Sequence, residues 1–244
     1  MKHTNLNKAK DIAYYFLNLD VKETELDFIL SHPFISSRYM TLSKDDMQLT
    51  DVCESEENLD KARKLYKQMI DEADSLALLF MILNKPYRAV FFKMISSYLS
   101  ERDYNEFLQF VWVDSENPNQ DVNVSINDWI KLFKKGNKDM LMSDEDRDIY
   151  DKLPNDELIT IYRGITKGHA EKGLSWTNNI CTAEWFAKRF NNKEPYMLKA
   201  QCHKEDIFAY LNERGEDELV VNVKKILNVE RINLYGNDQE TEDS

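Results

Sequence analysis

The chain has 244 residues, enough for one large domain or two small ones. Its 42% hydrophobic and 11% aromatic content is ordinary for a globular protein, so a real core can form. A formal charge of −12 argues against broad electrostatic binding to nucleic acid or an anionic membrane, because both need clustered cations.

Three cysteines, Cys53, Cys181 and Cys202, show no paired spacing, and the first residues lack the apolar core of a signal peptide. No run approaches the ~18 apolar residues of a membrane span. The expectation is a soluble cytoplasmic protein with no membrane partner. The six glycines form no Gly-rich phosphate loop, so P-loop and Rossmann readings lose their main signature.

Residues 1–113 read as helical. Ala9, Ile12, Ala13, Phe16 and Leu17 share one helical face, and a short helix is expected from Val21 to Leu30, stopped near Pro33. Phe34 to Glu57 is polar and mixed, the composition of a loop with turns. Leu59, Ala62, Tyr66, Met69, Ile70, Ala73, Ala77 and Phe80 recur at three- and four-residue spacing, which predicts one long amphipathic helix. Asn84-Lys85-Pro86 breaks it, with Pro86 suited to the first turn of the next helix. That helix carries Val90, Phe91, Met94, Ile95, Tyr98 and Leu99, and Phe107 to Val113 forms a further apolar run. Helical spacing assigns these Met and aromatic residues to core packing rather than to a ligand groove. The region reads as a scaffold or partner-recognition unit.

Asp114 to Asn123 is a turn-rich connector, followed by a helix around Trp129 that ends at Gly136. Ser143 with Asp144, Glu145 and Asp146 marks another helix start, capped by a hydroxyl and closed before Pro154. Beyond Pro154 the periodicity changes. Strands are expected at Leu158–Tyr162, Gly173–Thr177, Tyr196–Ala200, Ile207–Tyr210, Glu218–Val223 and Ile226–Tyr235, with one helix at Ala183–Phe190. The fold class is therefore α+β: a helical N-terminal region (1–113), then a domain of mostly antiparallel β-sheets (114–236), then an acidic disordered tail (237–244).

Three strings within that second domain carry chemistry. Tyr162-Arg163-Gly164 ends a strand, Ser175-Trp176-Thr177 lies on the next, and Glu216-Asp217-Glu218 opens a late apolar strand. In this order and strand context they resemble the mono-ADP-ribosyltransferases, and more narrowly the Arg–Ser–Glu class of bacterial toxins and bacteriophage-encoded enzymes. The resemblance covers residues 155–223 well, the helices from about 105 loosely, and leaves the first hundred residues outside.

The resemblance implies an NAD cleft in which the nicotinamide–ribose bond is cleaved and ADP-ribose passes to an acceptor, NAD serving as substrate. Arg163, with Tyr162 and Gly164 beside it, matches the arginine that holds the NAD phosphates and ribose; a guanidinium offers a fixed donor fork that Lys cannot reproduce. Ser175 matches the serine that bonds the ribose, and Thr177 stands two residues on, on the same strand face. The family usually has Thr between them, where this chain has Trp176.

Glu218 matches the catalytic glutamate, a carboxylate that stabilises an oxocarbenium-like centre. Glu216 faces the acceptor, and Glu at that position implies a protein arginine. Glu216 to Glu218 also reads as a solvated acidic turn, but Glu218 directly precedes Leu219-Val220-Val221, a run that carries its side chain inward. Arg189 and Phe190 are candidates to contact NAD, and Tyr210 is a candidate aromatic for target recognition. Arg163 and Ser175 are separated by only a short connection (Thr166 to Lys172), closer than in many relatives, which implies a compact domain.

No metal site is expected from the scattered histidines and cysteines. The acidic charge favours a protein acceptor over nucleic acid. Two alternatives stay open: an NAD glycohydrolase with water as acceptor, and a non-catalytic binding or inhibitor protein on the same fold.

Overall fold

A computed structural model describes residues 3–42, 48–166, 171–189 and 194–234. Phe190, Tyr235 and the tail 237–244 lie outside the described residues. The chain divides into two compact units, Met1–Ser115 and Glu116–Ser244.

The first unit opens with α1 (Leu6–Leu17), whose Asn5 cap accepts from the Lys8 amide and whose Ala9, Ala13, Phe16 and Leu17 are buried. The expected helix over Val21–Leu30 does not form. Instead β1 (Lys22–Glu23) and β2 (Leu30–Ser31) pair antiparallel. The Thr24 hydroxyl donates to the carbonyls of Leu26 (3.1 Å) and Ile29 (2.9 Å), a local alternative to helical bonding that the periodic pattern does not register.

The expected loop from Phe34 to Glu57 likewise holds a second ladder, β3 (Tyr39–Thr41) against β4 (Leu49–Asp51). Arg38 anchors it by a 2.9 Å ion pair to Asp51.

The single helix expected from Leu59 to Phe80 is two helices, α2 (Glu56–Glu72) and α3 (Leu76–Ile82). Ala73 leaves the helix with an extended ψ of 117°, and Ser75 starts the next. Ala73 and Ala77 keep the helical spacing across the break, so periodicity could not reveal it. A short turn of 3₁₀ helix containing Pro86 leads into α4 (Arg88–Ile95), and α5 (Glu101–Asp114) follows with Ser100 as cap. Phe80 is the centre of this core. It stacks on Phe107 at 4.7 Å and meets Phe91 edge-on at 5.3 Å, while Phe91 meets Phe16 at 5.6 Å. Phe16, Phe80, Phe91, Phe92, Phe107 and Trp112 are thus core side chains, whereas Phe110, Met69 and Met94 lie on the exposed side.

The second unit begins with α6 (Ile126–Lys135), started by a capping box of Ser125 and Asp128 and ended at Gly136. Next come α7 (Lys138–Leu141) and α8 (Asp144–Asp151), the latter capped by Ser143, which accepts from the Asp146 amide. Then β5 (Ile159–Ile165), β6 (Ser175–Thr177), α9 (Ile180–Lys188), β7 (Tyr196–Cys202), β8 (Ile207–Leu211), β9 (Glu218–Val221) and β10 (Leu227–Asn233) follow. The strands form one six-stranded sheet in the order β10-β7-β5-β6-β9-β8, every neighbouring pair antiparallel. The first unit is mainly helical with two short two-stranded ladders, and the second places its sheet after α6–α8 with α9 inserted between β6 and β7, so the class is α+β. Phe208 of β8 stacks on Phe133 of α6 at 5.7 Å, joining sheet to helices. No helix among the described residues is long and apolar enough to cross a membrane.

Candidate active site

Strands β5, β6 and β9 lie side by side in the middle of the sheet. Tyr162 is paired with Thr177, and Thr177 with Glu218. Directly opposed residues of an antiparallel pair project to the same face, so these three side chains form one row, with Ser175 two positions along on the same face. Trp176 alternates to the other side. It is buried, and its indole N–H donates to the Gly173 carbonyl at 2.8 Å.

Two glycines let this geometry close. At Gly164 an added Cβ would sit 2.1 Å from the Ala183 carbonyl oxygen and 2.6 Å from the Ala187 nitrogen, so helix α9 packs directly on the backbone of β5. At Gly173 a Cβ would sit 2.7 Å from Arg163 Nη2. The guanidinium therefore occupies space that only a glycine leaves open. Its Nη1 donates to the Ser175 carbonyl at 2.6 Å. Burial pulls the Arg163 pKa down to about 10, and the nearby Glu218 carboxylate opposes that shift. This half-buried cation stays protonated at neutral pH, and the part of its hydration that it has lost strengthens its pull on an incoming anion.

The acidic string is held by a tight turn. Gly215 has φ +67° and Asp217 φ +48°, both left-handed. The Asp217 amide donates to Asn212 Oδ1 at 3.0 Å, and its carboxylate accepts from the Tyr210 hydroxyl (2.6 Å) and Asn179 Nδ2 (3.1 Å). With Asp217 tied back in this way, Glu216 and Glu218 turn to the opposite side. Glu218 is 6% exposed.

Tyr210, a candidate for target recognition, is 2% exposed in β8, so it is not displayed to a partner. All of Ile207–Leu211 is buried, and the Tyr210 phenol, its pKa raised by burial and by the Asp217 bond, holds the turn before Glu218.

Arg163, Ser175, Thr177, Glu216 and Glu218 line one cleft of about 840 Å³, its solvent-open mouth included. Tyr162, Gly164 and Arg189 line it too. Arg189 lies over the rings of Trp185 (4.8 Å) and Phe186 (5.2 Å) at the end of α9. Of the expected site residues in the described chain, only Tyr210 is outside the cleft.

No protein-family model, curated protein or solved structure matches this chain.

The cleft also contains residues that the strings did not signal. Asn119, from the connector before α6, donates from Nδ2 to Ser175 Oγ at 3.0 Å and accepts from the Leu174 amide at 2.7 Å. One amide thus fixes both the serine hydroxyl and the backbone beside it. Arg214 reaches back from the turn, its Nη2 2.9 Å from Glu216 and 3.6 Å from Glu218. Its side chain is 39% exposed, so this pairing is worth ~0–1 kcal/mol and is readily exchanged. The only sequence cue to Arg214 is its spacing, four residues before Glu218 and two before Glu216.

Chemically, the cleft offers a half-buried cation, two oriented hydroxyls and two carboxylates within one cavity. An anion suits the Arg163 side, and a centre that gains positive charge suits the Glu218 side. Fixed charges in a site with little water stabilise such a centre without reorganising. Among the described residues no group of three or more His, Cys, Asp or Glu is placed to hold a metal ion.

Proposed function

We propose that the chain is an NAD-dependent mono-ADP-ribosyltransferase that cleaves the nicotinamide–ribose bond and transfers ADP-ribose to a protein arginine. The observation that carries this reading is the meeting of Arg163, Ser175, Thr177, Glu216 and Glu218 in one cleft from three neighbouring strands and the turn before the last. In this reading Arg163 holds the phosphates with its donor fork. Ser175, held by Asn119, and Thr177 bond the ribose. Glu218 stabilises the charge that develops at the anomeric carbon, and Glu216 holds the acceptor guanidinium and takes its proton. Phe186 and Arg189 close the nicotinamide and phosphate side.

A protein acceptor is favoured over nucleic acid by the formal charge of −12. The test is incubation of the full chain and an arginine-rich acceptor protein with NAD labelled in its adenylate half. Label bound to the acceptor supports transfer. Free labelled ADP-ribose alone would make water the acceptor and the protein a glycohydrolase. Intact NAD would remove both readings.

A further inference from the structure

The cleft is lined by three arginines, and they are held differently. Arg163 is half-buried and spends Nη1 on the Ser175 carbonyl. Arg189 is laid over two aromatic rings. Arg214 alone has its guanidinium against both carboxylates of the Glu216-Asp217-Glu218 string, 2.9 Å from one and 3.6 Å from the other. That is where the acceptor guanidinium of the proposed transfer belongs.

The turn that carries Arg214 is suited to delivering it. The Gly215 amide donates to the Asn212 carbonyl at 2.9 Å, so the turn fixes the backbone beside Arg214, and the side chain, 39% exposed, reaches both carboxylates from there.

We infer that Arg214 is an intramolecular acceptor, so that the protein ADP-ribosylates itself at this residue. The inference rests on the proposed function. In the step, Glu216 takes a proton from the Arg214 guanidinium, and the freed nitrogen lone pair forms a bond to the anomeric carbon of the ADP-ribosyl group. The bond from that carbon to nicotinamide breaks, and its electron pair leaves with nicotinamide, which departs neutral. Glu218 faces the charge as it develops. Because the acceptor is tethered two residues from Glu216, modification should follow first-order kinetics in the protein and stop near one group per chain.

The experiment uses the purified full chain with NAD and no other acceptor. It follows nicotinamide release, intact mass and fragmentation of the modified peptide. The inference expects one ADP-ribosyl group on Arg214, formed at a rate per chain that does not change with protein concentration. It also expects Arg214→Lys to release nicotinamide while carrying no group at this position.

A wild-type protein that releases nicotinamide with Arg214 unmodified overturns the inference and leaves the enzymatic reading standing. So does a mixture in which wild-type chains label Glu218→Gln chains as readily as themselves. If no nicotinamide is released at all, the proposed function fails and the inference fails with it.

Discussion

The approach of α9 to β5 makes Gly164→Ala the most informative single substitution. A methyl there meets the Ala183 carbonyl oxygen at 2.1 Å, the Ala187 nitrogen at 2.6 Å and the Phe186 Cβ at 2.8 Å. Two of these atoms are backbone, so no rotamer change relieves them. An ordinary carbon–oxygen contact is ~3.3 Å or more, so helix and strand must separate by about 1 Å. Overpacking of this kind costs ~1–3 kcal/mol, and the rigid neighbours place Gly164→Ala at the upper end.

The displacement also moves Phe186 and Arg189, which α9 carries into the cleft. A misplacement of ~1 Å typically costs about 100-fold in turnover. Urea unfolding of the second unit's signal measures the first effect, and nicotinamide release at saturating NAD the second. A Gly164→Ala protein within ~0.5 kcal/mol of wild type, with its activity intact, would refute the packing argument.

Arg163→Lys removes the donor fork while keeping a positive charge, and charged hydrogen bonds of this kind are worth ~1.5–3 kcal/mol. The expected result is a KM for NAD raised by about tenfold or more, with a smaller change in kcat; equal KM values would contradict the assignment. Asn119→Asp keeps the acceptor for the Leu174 amide but loses the donor to Ser175, whereas Asn119→Ala loses both. Both variants should lower kcat/KM for NAD, and only Asn119→Ala should also lower the melting temperature appreciably.

His32, 1% exposed in the first unit, has its pKa lowered from 6.5 to about 4, by burial first and by the Arg63 charge after it. The unfolded chain takes up this proton near 6.5 while the folded chain refuses it until about 4, so this share of stability is complete above pH 6.5 and is lost as pH falls toward 4. One unit below the unfolded value the loss is about 1.4 kcal/mol. Urea midpoints at pH 7.5 and 5.5 should therefore show a decline in wild type that His32→Gln flattens.

The second unit was the more legible half because its signals are local. Ser125 and Ser143 cap the helices that their positions announce, and short β-branched runs after Pro154 became strands of a single sheet. The first unit misled where a side chain competed with the backbone, as at Thr24, and where apolar spacing ran on across a break, as at Ala73. In the cleft, Ser175 and Thr177 share a face by strand alternation, while Arg163 and Glu218 were legible only from the order of their strings. Alternation alone would turn Arg163 away from the row of Tyr162, Thr177 and Glu218. Asn119 and Arg214 were not legible, because connector and turn residues enter a site through tertiary geometry that no period encodes. The burial of Tyr210 is not legible because β8 is covered along its whole length, and an isolated string Ile207-Phe208-Ala209-Tyr210 does not say that both its faces are covered.

The most direct measurement is nicotinamide release from NAD by the full chain beside its Glu218→Gln variant, with circular dichroism confirming that both are folded. Losing one preorganised charge-stabilising group lowers turnover by about 100- to 1,000-fold. The account predicts a measurable rate for wild type and a fall of that size for the variant. A wild type that leaves NAD intact, or a variant that cleaves it equally fast, would contradict the claim that this cleft breaks the nicotinamide–ribose bond.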